Sequence, residues 1–184
     1  SDLIVFGKRA GEYAAAQAKT QRAPRINDAA IDAAMKKSLE PFDRGHASGN
    51  PYTVQSDLQD TMQDLVGIVR LENEMQEALA RLAALNERAA SAGVDGHREY
   101  HSGWHTCLDL RNLLAVSEAI TRSAIERKES RGGHFRDDYP DKDPAFSLFN
   151  VAVALDATGA MRVSRIPIPE MPAELKQVIE DQKQ

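Results

Sequence analysis

From Ser130 to Arg136 the chain reads Ser-Arg-Gly-Gly-His-Phe-Arg, which sets the guanidinium groups of Arg131 and Arg136 and the imidazole of His134 around flexible backbone. Guanidinium groups bind carboxylates and phosphates through paired N–H donors, so this turn suits an anionic ligand or a partner's acidic surface. An internal reading carries equal weight. The same basic residues can pair with Glu129, Asp137 and Asp138 at a helix end, with Gly132 or Gly133 taking the left-handed cap.

Three other groupings could carry chemistry, and each has a plainer reading. His101 and His105 stand four apart with Cys107 close by, but zinc needs four ligands, or three and an open position, and no second cluster completes the set. Gly103 also lies between the histidines, so they are read as loop residues before a helix and no metal is expected. Asp137, Asp138, Asp141 and Asp143 form an acidic run, but Pro140 and Pro144 interrupt the backbone that a calcium loop requires, and a solvated turn is expected. Cys107 sits in an apolar stretch without a base beside it, which makes it a core thiol. No Rossmann or P-loop fingerprint occurs.

The turn closes a long helix. From Trp104 the positions Leu108, Leu110, Leu113, Leu114, Val116, Ile120, Ala124 and Ile125 cover more than one stripe of a 3.6-residue repeat, which predicts burial from at least two sides. Two shorter patterns precede it. Val54, Leu58, Met62, Leu65, Val66 and Val69 step by three and four after a start at Thr53 or Ser56; Met75, Leu79, Leu82, Leu85 and Ala89 do the same until Gly93. Short breaks favour antiparallel neighbours, so the stretch from Pro51 to Lys128 is predicted to form a three-helix, spectrin-repeat-like bundle.

Upstream, an amphipathic helix is predicted from Asp2 to about Lys19, with Ser1 or Asp2 as its cap. Gly7 and Gly11 lie on one face, where a neighbouring backbone or cofactor could press close. A second helix, capped by Asn27 or Asp28, is predicted to carry Ile31, Met35 and Leu39 and to stop at Pro41. Downstream, Phe146 to Leu155 and Met161 to Ile168 are rich in Val, Ile and Phe around Asp156, Ala157, Thr158 and Gly159, a hairpin signal. A short helix from Pro172 to about Glu180 follows. The fold class is therefore mainly α: a three-helix bundle with an additional N-terminal helical segment and a small C-terminal β-hairpin.

Composition limits the function classes. The 184 residues carry 42% apolar side chains and a net charge of -5, with acid concentrated between Pro51 and Ala92. Nucleic-acid binding would need clustered Lys and Arg with stacking aromatics, so it is not expected. No apolar run approaches the roughly 20 residues of a membrane span, and the lone cysteine excludes an internal disulfide framework. An amphipathic helix opening at the first residue, without a leader, reads as a piece of a larger enzyme.

The segment WHTCLDLRNLLAVSEAITRSAIERKESRGGHFRDDYP resembles the carboxy-terminal region of the succinate dehydrogenase and fumarate reductase flavoprotein subunit. The opening SDLIVFGKRAGEYAA resembles that family's helix directly after the turn that meets the flavin. The middle matches mainly in pattern and the tail weakly, and His101 and Ser102 depart from the asparagine and proline the family often has there. The resemblance implies a parent enzyme that oxidises succinate to fumarate, or the reverse, on covalently held FAD. It implies an iron-sulfur subunit and a membrane anchor as partners, and a peripheral position on the cytoplasmic face of a bacterial membrane.

On this resemblance the chain divides into a terminal helix of the FAD-binding domain (1–22), a helical bundle (23–145) and a C-terminal hairpin with a short helix (146–184). Ser1 and Asp2 are implied beside the flavin turn, and Arg131, His134 and Arg136 at the interface with the FAD-binding domain. Glu129 and Ser130 match the family turn without an implied role. No catalytic residue and no bound cofactor are expected in this chain, and self-association through the uncovered face of the first helix is. The alternatives are an L-aspartate oxidase-like flavoprotein, which carries a related turn, and a non-catalytic helical interaction module.

Overall fold

Alanine-rich runs with a carboxylate in the first turn and a basic residue in the last form the opening helices, α1 (Asp2–Thr20) and α2 (Asp28–Arg44). The computed structural model describes residues 2–45 and 49–182 and divides into two compact units, Ser1–Ser38 and Leu39–Gln184. In the first unit no residue of α1 is buried, and Leu3, Phe6 and Tyr13 are exposed. Gly7 and Gly11 face open space.

The second helix runs through Pro41, where the sequence predicted a stop. Proline cannot donate, but tertiary bonds hold the last turn: Val94 N–H donates to the Pro41 carbonyl at 2.9 Å, and Arg44 Nε donates to the Ala92 carbonyl at 2.8 Å. Gly93 permits this approach, because a Cβ there would run into the Gly45 carbonyl. Phe42 then packs beside Trp104, with ring centroids 5.6 Å apart.

The predicted bundle is present. Its helices are α3 (Pro51–Leu65), α4 (Glu72–Ser91) and α5 (Ser102–Glu126). The first of these starts at Pro51, ahead of Thr53, because the Asn50 side chain accepts from the Tyr52 amide at 2.9 Å and proline suits the first helical position. Val54, Leu58, Leu82, Leu85, Ala89, Leu110 and Leu114 interlock as one core cluster; Val66, Met75, Ala78 and Ala124 form a second. Each fully buried leucine contributes roughly 1.5–3 kcal/mol.

Two pattern predictions are corrected. Val69 leaves the helical stripe: the chain turns at Val66, and β1 (Val69–Arg70) pairs in parallel with β2 (Phe135–Arg136). Within this chain α5 is buried on one face, through Cys107, Leu110, Leu114, Ser117, Thr121 and Ala124, while Leu113, Val116 and Ile120 are exposed.

The predicted hairpin forms from β3 (Phe149–Leu155) and β4 (Met161–Pro167), antiparallel with Leu155 opposite Met161. Asp156 Oδ1 organises its turn by accepting from Thr158 N and Ala160 N. Arg165 joins the hairpin to the bundle, bonding Glu126 at 2.6 Å and stacking over the Phe149 ring at 4.6 Å. The last helix, α6 (Ala173–Asp181), has no buried residue. Among the described residues no helix is long and apolar enough to cross a membrane.

Candidate functional site

The segment after α5 winds into two charge clusters built on buried residues of opposite sign. Arg136 is 0% exposed and its guanidinium makes five hydrogen bonds. Nε and Nη2 grip both oxygens of Asp138 at 2.7 Å, Nη2 also reaches Glu72 at 2.9 Å, and Nη1 donates to the Ala124 and Ile125 carbonyls. The guanidinium thus caps the negative end of α5. Burial alone would lower its pKa, but Asp138 and Glu72 outweigh that and raise it.

Glu129 is the mirror case, also 0% exposed. Arg131 binds it with two parallel N–H donors at 2.8 and 2.9 Å, Arg127 adds a third, and the Asp143 amide donates at 3.0 Å. The paired Arg131 is the main cause that lowers its pKa to about 2, against the opposing effect of burial.

His134 lies between the clusters, and its neighbours settle its tautomer. The Arg70 guanidinium 3.1 Å from Nδ1 can only donate, and the Arg127 carbonyl 2.9 Å from Nε2 can only accept. The imidazole is therefore neutral with its proton on Nε2. Burial lowers its pKa most; the bond to the Arg127 carbonyl acts against this, and the charges of Arg70, Arg136 and Arg127 lower it further. Both ring nitrogens are engaged, so the histidine holds a shape and has no free nitrogen for proton transfer.

Ser130 ties the turn together by accepting from the Arg136 amide at 2.9 Å and donating to the Tyr139 carbonyl at 2.9 Å. Gly132, at φ 60°, closes the tight Arg131–His134 bridge. The predicted glycine cap of the helix is corrected: α5 ends at Glu126 with Arg127 in the cap position at φ -88°, and its carbonyls are served by Arg136 instead.

Of the residues singled out in the sequence, Arg131, His134 and Arg136 come together with Glu129 and Asp138, as the internal reading had it. Arg136 faces the interior of the chain; Arg131 and His134 are half-buried. The clusters also draw on Glu72 and Arg70, which local reading missed because each lies 64 residues from its partner. Their sole local signal was position, at the exit of one helix and the entry of the next.

The other candidates resolve structurally. His101 caps α5, accepting from the Trp104 amide at 3.1 Å while Nε2 meets the Asp95 carbonyl at 2.8 Å. Cys107 is buried in the core, and burial raises its pKa with Arg44 acting against it. Within the acidic run, Asp138 is bound to Arg136 and Asp143 caps a short 3-10 turn at Pro144–Ser147. Among the described residues no three His, Cys, Asp or Glu side chains converge on a metal position. Asp2 opens α1; Ser1 lies outside the described residues.

Residues 55–179 match the family model described as "Fumarate reductase flavoprotein C-term". The fumarate reductase flavoprotein subunit of Mycobacterium tuberculosis is 32% identical over 174 residues, covering 91% of this chain and 30% of that protein. The succinate dehydrogenase flavoprotein subunit of Coxiella burnetii is 36% identical over 146 residues, covering 78% of this chain and 25% of that protein. Among solved structures, Mycobacterium smegmatis Sdh1 in complex with UQ1 superposes with a TM-score of 0.89 at 39% identity, covering 97% of this chain and 31% of that chain. The chain spans about 30% of the length of the M. tuberculosis relative.

Proposed function

Because the chain belongs to the fumarate reductase flavoprotein family, matching its carboxy-terminal model, we propose that it is the helical carboxy-terminal domain of a flavoprotein subunit that interconverts succinate and fumarate. The observation that carries this reading is the agreement in architecture over 97% of the chain with the matched chain of M. smegmatis Sdh1. The parent carries FAD, and its partners are an iron-sulfur subunit and a membrane anchor that hold it at the cytoplasmic face of a bacterial membrane. Catalytic residues and tight flavin binding belong to the part of the parent amino-terminal to this segment.

Within that frame residues 1–22 are the last helix of the FAD-binding domain, 23–145 the bundle and 146–184 the hairpin appendage. When bound, the flavin supplies hydride acceptance. This chain's own contribution is electrostatic and steric: the positive end of α1, which opens at Asp2, fits a ring that gathers negative charge on reduction. Arg131 and His134 lie on the side that meets the FAD-binding domain, with Arg136 fixing the loop from beneath. The uncovered residues of α1 support self-association of the isolated chain.

The test is the full-length protein that carries this segment, purified and assayed with succinate, fumarate and aspartate. A bound flavin, with turnover of succinate or fumarate and none of aspartate, is the expected result. Aspartate oxidation without the other activities would move the parent to the aspartate oxidases. A colourless protein would overturn the reading altogether.

A further inference from the structure

Leu113, Val116 and Ile120 are 40%, 57% and 45% exposed and lie three and four residues apart, so they form one apolar stripe on α5 beside its packed face. The stripe ends at a cleft of ≈ 410 Å³ walled by Ala119, Ile120 and Val151, with Arg70, Arg127 and His134 around it. The three basic groups differ in one respect. Arg127 is ion-paired to Glu129, which it shares with Arg131, and His134 is neutral. Arg70 is half-buried, yet its guanidinium bonds to neutral acceptors, the Val66 carbonyl and His134 Nδ1, and among the described residues no carboxylate pairs with it.

A partly desolvated guanidinium without a counter-charge is costly, and proteins pair such groups. One positive charge beside an apolar stripe calls for one negative charge beside apolar side chains. A phosphate dianion would gain nothing from the stripe. We infer that the cleft is a docking site for a single Asp or Glu side chain flanked by aliphatic residues, its carboxylate on Arg70 and its neighbours on Ile120, Val116 and Leu113. The partner is the amino-terminal, flavin-binding portion of the same polypeptide, since the M. tuberculosis relative is about three times the length of this chain. The inference rests on the functional reading above.

In the full-length protein, a photo-crosslinking residue at Val116 and peptide mapping test it. The expected product joins α5 to one peptide amino-terminal to this segment that contains an Asp or Glu beside aliphatic residues. Arg70→Gln should speed proteolytic separation of the two portions on the order of tenfold, the usual size of a lost hydrogen bond to a charged group, and Arg70→Lys by less. Replacing the mapped carboxylate by its amide should do the same, and the pair should be no worse than either alone. Cross-linking to a second copy, to another subunit, to a peptide without a carboxylate or to nothing would overturn the inference, as would an Arg70→Gln protein cleaved at the normal rate. Flavin content and dicarboxylate turnover of the unaltered protein keep the two ideas apart: an active flavoprotein that cross-links elsewhere loses the docking site alone, and a protein without flavin loses both.

Discussion

Asp138 holds Arg136 through both carboxylate oxygens at 2.7 Å, and one of those oxygens also accepts the Glu72 backbone amide at 3.0 Å. The pair therefore binds the end of α5 to the beginning of α4. Leu71, at the cap position of α4, supplies no side-chain bond, so the Asp138 carboxylate, 66 residues beyond Glu72, does the capping. Positive charge sits at a helix C-terminus and negative charge at a helix N-terminus, each complementing the local dipole.

Removing the guanidinium would leave the Ala124 and Ile125 carbonyls unserved and Asp138 without its cation, while Glu72 would keep Lys128. Arg136→Met should cost about 3–5 kcal/mol, the usual loss when one partner of a buried pair is deleted. Asp138→Ala should cost less, because water reaches its site, yet more than the ~1 kcal/mol of a simple cap. Urea unfolding of both variants orders them, and an Arg136→Met chain as stable as the parent would remove the linchpin role.

Acid should act on Glu129. Its pKa is about 2 in the folded chain against an ordinary 4.5, so the unfolded chain takes up the proton first as pH falls. The stabilisation from this carboxylate is present in full above pH 4.5 and is lost as pH drops from there toward about 2. Glu129→Gln should be less stable at neutral pH and flatter across that acid window. Thermal midpoints measured at stepped pH compare the two slopes.

His134 predicts a different window. Its folded pKa is below the ordinary 6.5, so the neutral ring stabilises the fold above pH 6.5, and that contribution fades as pH falls below it. Protonation would place an N–H against Arg70, with Arg136 and Arg127 adding repulsion. His134→Gln, which keeps a neutral acceptor and donor, should lose this part of the pH dependence. Nitrogen NMR of the ring at neutral pH should find Nε2 protonated and Nδ1 bare.

The bundle was legible because its apolar positions repeat at helical spacing, and the hairpin because Val and Phe alternate around an Asp and Gly turn. The two-sided burial read for α5 was not found, since periodicity reports an apolar face and not what covers it. Leu113, Val116 and Ile120 show the difference: their spacing is regular and they are exposed. At the turn, Arg131 with Glu129 could be read from adjacency. Arg136 with Glu72 could not, because only the fold brings the two helix ends together.

Backbone contact at Gly93 gives a steric prediction. Gly93→Ala pushes a methyl at the Gly45 carbonyl and at Arg44 Cβ, 3.0 Å away, where α2 meets the end of α4. The cost should be ~1–3 kcal/mol, typical of overpacking. Gly133→Ala meets nothing within 4 Å and takes no left-handed angle, so it should change stability by less than about 0.5 kcal/mol. Chemical denaturation of the pair separates steric fit from a general dislike of losing glycine.

The first helix yields the last prediction. Leu3, Phe6 and Tyr13 are 91%, 62% and 68% exposed, and an apolar surface of this kind in an isolated chain seeks cover from a second copy or from aggregation. Sedimentation of the 184-residue chain should show concentration-dependent association, and Phe6→Lys combined with Leu3→Lys should shift the population toward monomer without altering the unfolding of the bundle. Full-length protein carrying the same double substitution should do worse, because there the face has a proper neighbour to lose. A monomeric isolated chain that binds no hydrophobic dye would show that α1 needs no cover, and would count against its place as the last helix of a larger domain.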